Sequence, residues 1–81
     1  MSVRVSFHSY FRDLADVPET SAELAPGARV SDLLEQVFER FPKLRPMREC
    51  MLIAVGLDYQ RPEFVLTDGD EVALFPPVQG G

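Results

Sequence analysis

A two-layer α+β domain is the fold class that this 81-residue sequence predicts, and three patterns predict it. Ser2 to His8 alternates, with Val3, Val5 and Phe7 on one face and Arg4, Ser6 and His8 on the other. That is the period of a half-buried strand. Val30, Leu33, Leu34, Val37, Phe38 and Phe41 recur as one helical stripe, with Asp32, Glu35, Gln36, Glu39 and Arg40 between them. Met51 to Val55 is a continuous apolar run, short enough for a buried strand. One helix stripe needs one sheet face to cover it, which gives two layers.

The remaining elements follow from local chemistry. Tyr10 to Ala15 reads as a short connector with room for one helical turn. Glu19 to Leu24 reads as a weaker strand with Ala22 and Leu24 inward, ended by Pro26-Gly27. Ser31 is positioned to cap the helix, and Asp32 and Glu35 sit where the helix dipole favours negative charge. Pro42 stops that helix, because the residue before a proline is pushed out of helical geometry. Lys43 to Cys50 is a polar connector with two apolar anchors, Leu44 and Met47. Gly56-Leu57-Asp58 forms a turn, Tyr59 to Arg61 a brief edge segment, and Thr67-Asp68-Gly69-Asp70 a turn with glycine available for positive φ. Glu71 to Phe75 is the last strand, with Val72 and Leu74 on one face and Glu71, Ala73 and Phe75 on the other. The order predicts a mixed sheet with its first and last strands adjacent and one main helix across one face, the β-grasp arrangement. Residues 1–75 form the domain in this reading, and 76–81 a C-terminal tail.

Composition narrows the chemistry. Thirteen acids against eight bases give a net charge of −5, which argues against nucleic acid as a partner, since phosphate binding needs clustered Lys and Arg. A single cysteine and a single histidine leave nothing to build a disulfide or a metal site. Cys50 reads as a small buried hydrophobe at a strand start. No apolar run reaches the length a bilayer needs and no signal-peptide pattern opens the chain, so the expected location is the cytoplasm. The domain holds no nucleophile–histidine–acid set and no phosphate loop. It reads as a handle rather than as an enzyme.

The tail carries the chemistry. Pro76 and Pro77 withdraw amide donors and fix φ, ending the last strand. Val78, Gln79, Gly80 and Gly81 follow. Two glycines without side chains fit a tunnel too narrow for a β-carbon; by themselves they favour a frayed end. Read as a free end, the Gly81 carboxylate is ionised at neutral pH and resists nucleophiles. It becomes reactive once converted to a mixed anhydride such as an acyl-adenylate.

The string Leu66-Thr67-Asp68-Gly69-Asp70-Glu71-Val72-Ala73-Leu74-Phe75-Pro76-Pro77-Val78-Gln79-Gly80-Gly81 closely resembles the C-terminus of the small subunit of molybdopterin synthase, the MoaD family, related to the thiamine sulfur carrier ThiS. The resemblance extends back through Ala54-Val55 and the helix to Arg12-Asp13-Leu14, and its specific part is Phe-Pro-Pro-Val, one residue, then Gly-Gly. It departs at Gly56, where the family usually carries Asn. The resemblance implies a ubiquitin-like β-grasp fold and a sulfur carrier that is not an enzyme on its own. It implies that an ATP-dependent adenylating enzyme activates Gly81, that sulfur displaces AMP to leave a thiocarboxylate, and that the sulfur goes to a cyclic pyranopterin during molybdenum cofactor biosynthesis. The implied partner is the large synthase subunit in a heterotetramer, which receives Pro76, Pro77, Val78, Gln79 and Gly80. No cofactor or metal is expected on this chain.

Four further residues are candidates for partner contact. Phe75 is left uncovered by the helix on parity, and an exposed aromatic at the root of the tail suggests a docking patch. Tyr59 and His8 share that parity and are placed to flank it. Arg12 is either a partner contact or a solvated arginine. Three alternatives stay open: sulfur delivery to thiamine or tRNA, a ubiquitin-like modifier joined through Gly81, and an interaction module with an inert tail. Lys43 is the one lysine, which disfavours varied self-conjugated chains.

Overall fold

In the computed structural model the chain folds as β1 (Ser2–Phe7), α1 (Tyr10–Ala15), β2 (Glu19–Glu23), α2 (Val30–Arg40), a 3-10 run (Pro42–Cys50), β3 (Leu52–Val55), β4 (Asp58–Tyr59) and β5 (Glu71–Phe75). The structure describes residues 1–77. One mixed sheet runs in the order β2-β1-β5-β3-β4. The first and last strands are adjacent and parallel, with Val5 opposite Val72 and Phe7 opposite Leu74. β5 is antiparallel to β3 on its other side, with Ile53 opposite Leu74 and Leu52 opposite Phe75. This is the β-grasp fold.

Alternation decides which side chains go inward. Val3, Val5 and Phe7 of β1, Ile53 and Val55 of β3, and Val72 and Leu74 of β5 meet Val30, Leu33, Leu34, Val37 and Phe38 of α2 in one core. Phe11, Leu44 and Leu66 close its margins, each at 2% exposure or less. The turn before β5 ties that strand to the start of β1. Gly69, at φ +86, donates its N–H to Ser2 O at 2.8 Å, and Arg4 N–H reaches Asp70 O at 3.0 Å. Asp68 Oδ1 accepts the Ser2 amide at 2.8 Å. The positive φ is one that glycine adopts without steric cost.

Helix α2 is capped two residues earlier than the sequence suggests. Arg29 stands at the N-cap, and Asp32 Oδ2 accepts its backbone N–H at 2.8 Å, the side-chain-to-backbone half of a capping box. Ser31 lies inside the first turn and is not the cap. Its N–H donates to Pro62 O and that of Val30 to Phe64 O, both at 2.9 Å, so a neighbouring loop satisfies the first free donors of the helix, and Leu33 N–H, which a cap at Ser31 would serve, is already bonded to Arg29 O at 3.2 Å. At the other end Phe41 leaves the helix as its C-cap and packs edge-on against Phe7, ring centroids 5.2 Å apart. Arg40 and Gln36 reach from α2 to the outer edge of β2, where Arg40 Nη1 donates to Ser21 O at 2.8 Å and Gln36 Nε2 to Glu23 O at 2.9 Å.

Two local expectations are sharpened and two are corrected. The connector after Pro42 is a 3-10 run, with Leu44 buried and Met47 half-buried. Cys50 closes that run and is exposed; only Met51 and the strand after it turn into the core. The edge segment is Asp58–Tyr59, not Tyr59 to Arg61, because Gly56 and Leu57 alone make the turn and Val55 pairs with Asp58. Gly56 has φ +63, as a two-residue hairpin with glycine in its first central position requires. Finally, Tyr10–Ala15 is a full short helix with Phe11 and Ala15 buried.

Phe38 is fully buried, so Phe38→Ala is expected to lower unfolding free energy by about 3–5 kcal/mol through the cavity it leaves. Asp32→Ala should cost about 1 kcal/mol, the worth of a helix cap. Urea denaturation checks both.

Candidate functional site

The root of the tail is built where β1 and β5 end side by side. Parallel pairing carries Phe7 to Leu74, and His8 N–H extends the ladder to Leu74 O at 3.1 Å. His8 therefore arrives beside Phe75 on the face that α2 leaves open. Their rings stack with centroids 4.4 Å apart and planes 16° from parallel, an arrangement favoured for aromatic pairs when the rings are offset. His8 Nε2 also lies 2.9 Å from Ser6 Oγ. Both His8 and Phe75 are half-buried, since each covers the other.

Directly after His8 the chain turns sharply. Ser9 has φ 56 and ψ −140, a region that glycine occupies freely and a β-carbon disfavours. It is the first central residue of a turn closed by Phe11 N–H to His8 O at 3.2 Å, and Arg12 N–H then reaches Ser9 O at 3.1 Å. This turn converts strand into helix within two residues. The strain at such a residue is on the order of 1–3 kcal/mol. Sequence reading missed it, because serine carries no sign of positive φ.

The open face continues away from the stack. Leu52 lies opposite Phe75 and is half-buried, so β3 is not buried on both faces as its apolar run suggests. Ser6, Ala73, Ala54 and Tyr59 form the next row across four strands. Tyr59 is 68% exposed on the edge strand, about 10 Å from β5 across two strand spacings, and it is not part of the stack. Arg12 is exposed on α1, a separate element from the sheet. Of the four predicted partner-contact residues, His8 and Phe75 meet; Tyr59 and Arg12 stand apart. Pro76 and Pro77 follow β5 half-buried. Val78, Gln79, Gly80 and Gly81 lie outside the described residues.

Further along the same face is a cleft of about 210 Å³ lined by Arg4, Ser6, Glu19, Gly56, Glu71 and Ala73, with Arg4 and Glu19 ion-paired across it. It is smaller than the roughly 300–1,000 Å³ usual for small-molecule sites. Among the described residues every buried side chain is apolar, and no group of three His, Cys, Asp or Glu could hold a metal ion. No described helix is long and apolar enough to cross a membrane.

Both the sequence and the β-grasp fold have counterparts among known proteins. Residues 5–81 match the ThiS family. The chain belongs to that family. Among its relatives, the molybdopterin synthase sulfur carrier subunit of Chlamydomonas reinhardtii is 37% identical, with 100% of each chain covered. The structure of a Pyrococcus furiosus protein described as molybdopterin converting factor, subunit 1, is also 37% identical and superposes with a TM-score of 0.87, covering 96% of this chain and 99% of that one. A small archaeal modifier protein of Haloferax volcanii has the same TM-score at 20% identity, covering 95% and 98%, and shows a common fold alone.

Ser9→Gly should raise the unfolding midpoint. Relief of strain exceeds the entropy glycine adds to the unfolded chain, and a net gain of about 1 kcal/mol corresponds to roughly 4–8 °C in a domain of this size. A thermal melt followed by circular dichroism measures it.

Proposed function

We propose that this protein is the sulfur-carrier subunit of a molybdopterin synthase, and that Gly81 is where the sulfur rides. The observation that carries the reading is the full-length match to a relative of that name, joined to a Gly-Gly end that follows the central strand of the sheet by a few residues. In this reading an ATP-dependent adenylating enzyme joins the Gly81 carboxylate to AMP, releasing pyrophosphate. A sulfur nucleophile then attacks the acyl carbon and displaces AMP, leaving a thiocarboxylate. Glycine suits that role, because no β-carbon crowds the approach of either reactant.

The charged carrier then docks on the large synthase subunit, in the heterotetramer that the resemblance implies, and yields its sulfur to a cyclic pyranopterin. Pro76, Pro77, Val78, Gln79 and Gly80 thread the partner's channel, while Phe75 and His8, with Tyr59 and Arg12 further out, meet its surface. The chain supplies no acid, base or cofactor to the transfer. ATP belongs to the activating enzyme, and the catalytic groups belong to the large subunit.

Intact-mass analysis of the protein from its native host tests this. The expected result is a species heavier by the exchange of one oxygen for one sulfur at the C-terminus. Deleting Gly81 should abolish sulfur transfer and leave the thermal melt unchanged; a truncated protein with full activity overturns the proposal. Recovery of Gly81 only in branched peptides with target lysines would assign a modifier instead. Co-purification with thiamine or tRNA thiolation enzymes in place of a large synthase subunit would move the carrier to another pathway.

A further inference from the structure

We propose that the cleft beside Arg4 is a socket for one long cationic side chain, arginine or lysine, of the large synthase subunit, with Glu71 as its counter-charge. The inference rests on the sulfur-carrier reading above and deepens it. It extends the docking surface past the Phe75–His8 stack and states what the partner must bring.

The shape of the cleft comes from the register of the sheet. Ser6 and Ala73 stand opposite each other on β1 and β5. Gly56 N–H donates to Glu71 O at 2.9 Å, which brings a residue without a side chain to the same place. These small residues leave a hollow in the open face. Arg4, Glu19 and Glu71 rise around it, and the space is about 210 Å³. Arginine and lysine carry their charge on an apolar stem, and a floor of Ala73 and Gly56 gives such a stem a place to lie.

Charge selects the occupant. Arg4 is opposite Glu71 in the β1–β5 register, yet its guanidinium turns the other way and pairs with Glu19 on β2. Among the described residues Glu71 is left without an ion pair. Two carboxylates therefore face one guanidinium across the cleft, on a chain of net charge −5. The missing group is a cation. The Arg4 and Glu19 side chains are 61% and 54% exposed, and a pair so open to water contributes little, so sharing Glu19 with an incoming cation costs little.

The socket is continuous with the patch set against the partner. Ala73 is two residues before Phe75, about 7 Å along β5, and Ser6 Oγ lies 2.9 Å from His8 Nε2. A surface laid over the stack reaches the cleft in the same movement. The stack offers apolar contact; the charge pair in the socket fixes the orientation of docking.

Calorimetric titration of the host's large synthase subunit with the carrier tests this, using wild type, Glu71→Gln, Ala73→Leu and Glu39→Gln. Glu39 is exposed on α2, in the other layer, so its variant makes the same change in net charge away from the socket. Glu71→Gln is expected to raise Kd about tenfold and to flatten its dependence on salt. Ala73→Leu, which fills the floor, should raise Kd by at least as much, whereas Glu39→Gln should leave it within about twofold. Equal thermal melts exclude a loss of folding. An unchanged Kd in Glu71→Gln overturns the proposal. So does an equal loss in Glu39→Gln, which makes the effect one of net charge alone, and so does tighter binding by Glu71→Gln, which assigns an anionic occupant to Arg4. The two readings fail separately. A wild-type carrier that does not bind the large subunit removes the sulfur-carrier role and the socket together, whereas normal binding indifferent to Glu71 and Ala73 removes the socket alone.

Discussion

Everything at the root of the C-terminal tail depends on β5 being the middle strand of its sheet. It is paired with β1 on one side and β3 on the other, and its inward residues Val72 and Leu74 lie in the core. A strand restrained on both edges and one face is among the last parts of a small domain to open. The turn at Thr67 to Asp70 locks its beginning to β1 through Ser2 and Arg4, so its register cannot slip without flipping every side chain to the wrong face. The point where residue 76 emerges is therefore fixed by the whole fold.

The parallel β1–β5 pairing has a second effect. Antiparallel neighbours would place the end of one strand beside the beginning of the other. Parallel neighbours bring both ends together, and here that puts His8 against Phe75. The N-terminal strand thus supplies the side chain that packs against the last aromatic before the tail. Two segments almost seventy residues apart in the chain become one local structure, and neither can be understood from its own neighbours in sequence.

That distinction explains what the sequence made legible. Periodicity revealed β1, α2 and β5 and sorted their faces correctly, because Val3, Val5, Phe7, Val72 and Leu74 are placed by the alternation of the backbone itself. The turn at Gly69 and the stop at Pro42 were readable because those residues act locally. Errors arose where tertiary contacts took over. Ser31 looked like a cap, but carbonyls from a distant loop, Pro62 and Phe64, take the amides of Val30 and Ser31 and let the helix start at Val30. Cys50 looked buried because it borders an apolar run, whereas the inward turn starts one residue later. Leu52 looked like core and lies on the open face. Parity put Tyr59 on the correct face but gave no distance from Phe75, since lateral position depends on strand order. Ser9 carried no sign at all: its strained turn is imposed by the elements on either side.

The bonds from α2 to the rim of β2 bear on how such a molecule stays single. In β2, Glu19, Ser21 and Glu23 turn their backbone groups away from β1, and a bare row of that kind invites another chain to extend the sheet. Arg40 and Gln36 occupy two of its acceptors. At the opposite rim β4 is only two residues long. With two acceptors of one margin taken and the other margin only two residues long, copies of this protein have little means of zipping together into a fibre. Association is left to the flat of the sheet.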